Sequence, residues 1–480
     1  MKNKSHIYLF IKSTGYVFLS QSISLFLSIM TSLILPRFLG IKDFSFWQLF
    51  LFYASYAGIF NLGLIDGIYL KIGGKEYGEL NFAQIAGQFK ILCGFMALCT
   101  LIIISGQYFI PVLEAERRYV LICTAIYIFL ANASWYIEYI FQATYKIRNF
   151  AVSTIIDKTS FLVLMTVGIC LFPNRLIYFL SIYLLGRFLS LLYLLNSSKQ
   201  MLRTKTVFSK KILHESFELI SIGINLTISS ISGMLILGIN RKVIDLRWGI
   251  ESFGKFSLAI SLSNFFLVFI QQISKVLFPV LRRMDGSKKY YYYEMLSIFL
   301  NIILPISFVL YIPLKYLLSL WLPQYQESFQ YLAFLLPICL FDGKMQLLCN
   351  TYFKVLREEK FLLKINLWSM ILSAIGAVVG GWLINNVLFI MFSMVVVIAV
   401  RSIFSECYLA HILDKNIHEV QQDLLTEVII VLLFILIAWN MTGIGAFFLI
   451  CLLYFAYLMF HRNKIKLFLF RLKKQFMEEI

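Results

Sequence analysis

The chain has 480 residues, 60% of them hydrophobic and 14% charged, and its mean hydropathy is +0.81. A water-soluble domain needs about 25% charged residues to solvate its surface, so this composition excludes one. The formal net charge of +18 would suit a nucleic-acid binder, but in so apolar a chain it fits Lys and Arg gathered on the cytoplasmic side of a membrane.

Apolar runs of about 20 residues, each enough to cross ~30 Å of hydrocarbon as a helix, recur along the whole length. In chain order they predict helices near 12–36, 44–71, 85–110, 119–143, 152–172, 176–196 and 218–240. Further helices follow near 253–280, 294–313, 328–353, 361–384, 387–411, 424–441 and 443–460. The alternating segments of about 10 residues that mark a β-barrel do not occur. The expected class is an all-α polytopic membrane protein with about fourteen transmembrane helices.

The basic start, MKNKSHIYLFIK, leads into the first run with no small-residue cleavage site after it. It reads as a retained first helix and not as a signal peptide. With this end placed inside, most of the 43 Lys and Arg fall in cytoplasmic loops and span ends, and the C-terminus is cytoplasmic too. Trp47, Trp248, Trp321, Trp382 and Trp439 then fall at external span ends, where an interfacial belt is expected, and Tyr290 to Tyr293 mark an internal boundary.

All eight Cys lie in apolar runs without a CxxC pair, and the five His show no ligand spacing. No disulfide, metal site or cofactor is predicted. The stretch GIESFGKF from Gly249 to Phe256 nearly reads as a phosphate loop, but Phe256 replaces the required hydroxyl residue and no strand precedes it. ATP binding is rejected there. The longest inter-span segment, Asn196 to Phe217, is a basic linker, and no nucleophile–base arrangement is legible, so an enzyme is not expected.

Two halves share one plan. Gly40-Ile-Lys-Asp-Phe44 resembles Gly249-Ile-Glu-Ser-Phe253 at an offset of 209 residues, and KIRNF at Lys146 resembles KVLRE at Lys354 at 208. GRFLSLLY from Gly186 resembles VRSIFSECY from Val400 at 214 to 215. Three matches in order predict a parallel repeat of six helices. The expected division is 1–215 for the first lobe with its linker, 216–412 for the second, and 413–480 for an extra helix pair and basic tail.

The repeat relates the deep charges. Asp66 corresponds to Lys275, and Arg187 corresponds to Arg401. An ionised Arg at mid-span costs on the order of 3 kcal/mol by insertion scales, so each needs a polar cavity or a partner, such as Glu138 or Glu406. In NLGLIDGIYLKIGGKEYGE, residues 61–79, Gly63-x-x-x-Gly67 allows close approach of another helix. Asp66 and Lys71 lie about 140° apart on a helix, which disfavours a pair between them.

The stretches NLGLIDGIYLKIGGKEY (61–77), INRKVIDLRWGIESFGKFSLAISL (239–262), FIQQISKVLFPVLRR (269–283) and NTYFKVLREEK (350–360) resemble the MOP exporter superfamily. More narrowly, the chain looks like the oligosaccharide flippases of its polysaccharide transporter, or Wzx-type, branch. One departure is Asn240 ahead of Arg241, where many relatives carry an acid. The resemblance implies a V-shaped pair of six-helix lobes that alternate in access. Its cargo would be a polyprenyl-diphosphate-linked oligosaccharide for O-antigen, capsule or a related glycan. It further implies a bacterial plasma membrane, surrounding membrane lipid, a proton or sodium ion as coupling ion, and a glycan polymerase as partner. On that basis Arg187, Arg401, Lys275 and Arg241 are the candidate headgroup contacts, and Asp66 and Glu138 the candidates for ion coupling. The alternatives are a multidrug cation antiporter of the same superfamily and a membrane-embedded glycan polymerase.

Overall fold

The computed structural model describes residues 19–109, 114–172, 175–204, 210–282 and 286–478. Among them there are helices and no strand. The chain divides into two compact units between Ile231 and Ser232.

The first unit holds α1 (Leu19–Leu33), α2 (Leu35–Ser55), α3 (Leu64–Ile72), α4 (Phe82–Gly106), α5 (Ala115–Ala143), α6 (Ile147–Leu171), α7 (Leu176–Ser197) and α8 (Lys199–Leu202). The long α9 (Lys210–Arg282) contains the boundary. The second unit continues with α10 (Gly286–Ile303), α11 (Ile306–Trp321), α12 (Gln326–Leu335), α13 (Pro337–Lys344), α14 (Asn350–Leu356) and α15 (Glu359–Val378). It ends with α16 (Val387–Ile412), α17 (Ile417–Asn440), α18 (Gly443–Phe460) and α19 (Arg462–Glu478).

Among the described residues, ten helices are long and apolar enough to cross a membrane, or up to twelve if each of two bent pairs is one span. The sequence pattern predicts about fourteen, and the difference lies at two glycines. The first two expected spans run together through α1 and α2, and the seventh and eighth through α9. A straight helix of the 73 residues in α9 would be about 110 Å long, more than three times the ~30 Å hydrocarbon layer. The helix is instead kinked at Gly249, with φ 82° and ψ 179°. Gly40 interrupts α2 with nearly the same angles, φ 71° and ψ 173°. That conformation is essentially confined to glycine. These two glycines open the G-I-x-x-F motif, so the sequence repeat is also a repeat of backbone geometry. A further parallel is that α5 and α14 both run out on a left-handed residue, Tyr145 (φ 58°) and Arg357 (φ 63°).

The expected span 44–71 is broken in two. After α2 comes a short 3-10 turn at Ala57–Asn61, then left-handed Leu62 and Gly63, and α3 starts. Two buried asparagines satisfy the interrupted backbone. Asn61 Oδ1 accepts from the Gly63 amide at 3.0 Å, and its Nδ2 donates to the Gly58 carbonyl and to Asn132 Oδ1. Asn132 Nδ2 donates to the Ala57 and Ile128 carbonyls, both at 2.9 Å. Buried backbone polar groups need such partners wherever water is excluded.

The core of the first unit centres on α5, whose Tyr136, Ile137, Ile140 and Phe141 are fully buried. Trp47 belongs to this interior and not to a lipid–water belt. It is fully buried, stacked on Phe161 at 5.7 Å with the Tyr183 ring edge-on at 5.6 Å. Packing of one large ring among others outweighed its preference for the interface. Tyr293 is likewise buried against Tyr352, whereas Trp321, Trp382 and Trp439 are exposed.

The Gly63–Gly67 pair does what the spacing predicts. A Cβ on Gly67 would lie 2.0 Å from the Leu219 carbonyl oxygen, and one on Gly223 would lie 2.0 Å from that of Gly63. The backbones of α3 and the start of α9 therefore touch directly. Gly40→Ala and Gly249→Ala meet no neighbouring atom, so each should lose only conformational energy, about 1–3 kcal/mol. Gly67→Ala should lose more, and Gly78→Ala, which also meets open space, almost nothing. Thermal denaturation of the purified protein in detergent orders the four variants, and a Gly67→Ala variant as stable as Gly78→Ala would contradict the contact.

Candidate functional site

In the first unit, Arg187 and Glu138 come together. Arg187 sits midway along α7, 5% exposed, and its Nη1 lies 3.2 Å from Glu138 Oε1 of α5 and 3.5 Å from Asp157 Oδ2 of α6. Nη2 donates to the Ala131 carbonyl at 3.5 Å, and the guanidinium lies 5.8 Å from the Trp135 ring. Glu138 also accepts from the Ser153 hydroxyl, and Asp157 pairs with Lys158 at 3.1 Å. Gly186 makes this meeting possible. A Cβ there would come within 2.8 Å of the Asp157 carbonyl oxygen, so a larger residue would push α6 away from α7.

The second unit also holds its deep Arg against an acid. Arg401, midway along α16 and 6% exposed, pairs through Nη2 with Asp342 of α13. Asp342 in turn accepts from Gln346 Nε2. Arg401 and the buried Asn366 of α15 both border Gly233, where a Cβ would lie 3.8 Å from Nη1 and 3.7 Å from Nδ2. Asn366 stands 209 residues after Asp157, the offset that links the two kinked glycines. The first unit thus sets its Arg against two acids, and the second sets its Arg against an acid and near an amide. In both units the Arg Nε is buried with no hydrogen-bond partner among the described residues.

The remaining candidates lie apart from these pairs. Asp66 opens α3 and accepts from the Thr227 hydroxyl at 2.7 Å. Lys71 pairs with Glu218 at 3.6 Å. Arg241 donates from Nε to Ser257 Oγ at 3.1 Å and lies 5.4 Å from the Phe253 ring. Asn240 ties α9 to α15 by donating to Ser373 Oγ at 2.7 Å. The side chain of Lys275 lies outside the described residues.

Glu406 is not the partner of Arg401. It lies 2.7 Å from Lys344 of α13, whose ammonium also meets Glu427 of α17 at 2.6 Å. Sequence reasoning missed Asp157, Asp342 and Glu427. The offset of 209 gave a route to the Asp157–Asn366 correspondence, and the charge of Lys344, two residues beyond Asp342 in an apolar run, gave a hint of the second. Glu427 had no signal, because the last helix pair stands outside the repeat. The deep charges are of both signs. In the first unit Arg187 and Lys158 face Glu138 and Asp157, and in the second Lys344 and Arg401 face Asp342, Glu406 and Glu427.

The family described as polysaccharide biosynthesis protein matches residues 10–285. The chain belongs to that family. The sequence finds no match among curated proteins. Lipid II flippase MurJ, in an inward closed conformation, aligns with a TM-score of 0.65 and 14% identity, over 95% of this chain and 100% of MurJ. An inward-facing multidrug resistance MATE family transporter of the MOP superfamily aligns at 0.60 and 13%, over 83% of this chain and 96% of that one. MATE in complex with MaL6 aligns at 0.59 and 12%, over 86% and 97%. At these identities the likeness is one of fold. This member of the polysaccharide biosynthesis family is a multi-pass membrane protein with the fold of MOP-superfamily transporters.

Arg187→Ala would leave Glu138 and Asp157 buried without their shared cation, a change expected to lose about 3–5 kcal/mol. Asp157→Asn keeps the Glu138 partner and should lose less. Thermal denaturation in detergent compares them, and equal losses would show that the Arg187–Glu138 contact is not what holds α5 to α7.

Proposed function

We propose that this protein is a flippase that carries polyprenyl-diphosphate-linked oligosaccharide units from the cytoplasmic to the outer leaflet of a bacterial cell membrane by alternating access. Both chain termini would be cytoplasmic. The family description and the fold shared with a lipid II flippase support the reading. The physical need is plain, because a diphosphate and its sugars cannot enter hydrocarbon unaided while the polyprenyl tail can remain in lipid.

The observation that carries the headgroup assignment is the repeated guanidinium with a buried, unpartnered Nε donor, Arg187 in one unit and Arg401 in the other. An N–H without a partner in a water-poor interior is costly to leave unmade, and an anionic oxygen would complete it. Because Glu138, Asp157 and Asp342 hold these cations, phosphate contact requires their carboxylates to be displaced or neutralised. Glu138 would then couple transport to a proton by giving up Arg187 when protonated. Asp66, Arg241 and Lys275 remain candidates for the path and its coupling on the terms of the superfamily resemblance.

The MATE fold keeps a multidrug antiporter as a second reading, favoured by the excess of acids over bases among the deep charges of the second unit. In a strain lacking its own flippase, the wild-type chain should restore surface glycan. Arg187→Lys and Arg401→Lys, which keep a cation for the carboxylates, should reduce it more than tenfold at matched protein level. Drug resistance restored without any surface glycan would sink the flippase reading. Full glycan with both lysine variants would remove the two arginines from the headgroup site.

A further inference from the structure

The Lys344–Glu406–Glu427 cluster is the most enclosed charged group described in the protein. Lys344 and Glu427 side chains are 0% exposed and Glu406 2%. One ammonium faces two carboxylates, at 2.7 Å and 2.6 Å, so with all three ionised the cluster carries a surplus negative charge. Glu427 Oε2 is buried and has no hydrogen-bond partner among the described residues. An ionised oxygen in that position lacks both water and a donor, and such a group takes up a proton instead.

The neighbours do not supply the missing cation. From α10 comes the buried Tyr293 and from α18 the buried Tyr457, each with a hydroxyl that has no partner among the described residues. Cys349 follows α13, and Cys407 adjoins Glu406 on α16. Arg401 on α16 is held by Asp342. Asp423, one turn before Glu427 on α17, is held by Lys464 at 2.5 Å and faces His461 at 3.6 Å. Lys415 lies 5.3 Å from the Tyr293 ring and divides its field among Glu294, Asp423 and Glu406. A hard cation would need several oxygens around it, whereas here the ammonium already occupies the space between the carboxylates.

We propose that Lys344, Glu406 and Glu427 form a proton-binding site, which takes up one proton on a carboxylate and thereby fixes α17 against α13 and α16. Proton uptake turns one carboxylate into a carboxylic acid and leaves the other paired with the ammonium. The loaded cluster is neutral. None of this depends on what the protein transports.

Infrared spectroscopy of the purified protein in lipid nanodiscs, recorded across neutral pH in light and heavy water, reads the proton directly. The wild type should show the C=O stretch of a buried carboxylic acid that shifts on deuteration, and Glu427→Gln should lose it. Glu427→Gln, which mimics the loaded state, should unfold at the wild-type temperature, while Glu427→Ala unfolds lower. As pH rises through deprotonation of the site, the folded state loses protons that the unfolded chain has already lost. Wild-type stability should therefore fall over that window and the Glu427→Gln profile should stay flatter. Glu406→Gln serves as a second variant for the band if Glu427→Gln does not fold. No such band in the wild type, or a band unchanged in both glutamine variants, would overturn the proposal.

Discussion

An ion taken out of water must find its countercharge within the protein, and the interior of this molecule is arranged around that requirement. Removing one partner of a buried pair costs several kcal/mol, so each deep cation fixes which helices are neighbours. Arg187 binds α7 to α5 and α6, Arg401 binds α16 to α13, and Lys344 draws α17 onto α13 and α16. Within lipid there is no hydrophobic drive to choose among helix faces. Charge pairing supplies the selectivity that apolar burial supplies in a soluble core.

Close backbone contact is the complementary device. Gly186 lets α7 settle onto α6 where the ion pair forms, and Gly63, Gly67 and Gly223 seat α3 against α9. These glycines act by having no side chain, and the charges by having long ones. Asn61 and Asn132 serve a third need. They satisfy the carbonyls and amides freed where the second span breaks.

Hydropathy made the helices legible because each run must match the thickness of the bilayer. Its limits lay where one glycine divides a helix without a polar loop, as at Gly40 and Gly249, and where left-handed Leu62 and Gly63 break a span that still reads as apolar. The arginines were legible as isolated charges in apolar runs. Their partners were less so, since Asp157 and Asp342 sit on other helices and only the fold brings them within reach. Trp47 was misplaced because its sequence position resembles that of a belt residue, while the rings that enclose it, Phe161 and Tyr183, come from distant segments. Glu427 shows the same limit from the other side, for nothing in its own helix indicates the lysine it meets.

One difference between the halves has an evolutionary reach. Asp157 and Asn366 occupy matching places near matching arginines, and the two side chains have nearly the same shape. One base change turns an Asp codon into an Asn codon. A duplicated bundle of this kind is therefore able to add or remove a unit of charge in either half by one mutational step, and to transfer it between the halves by two.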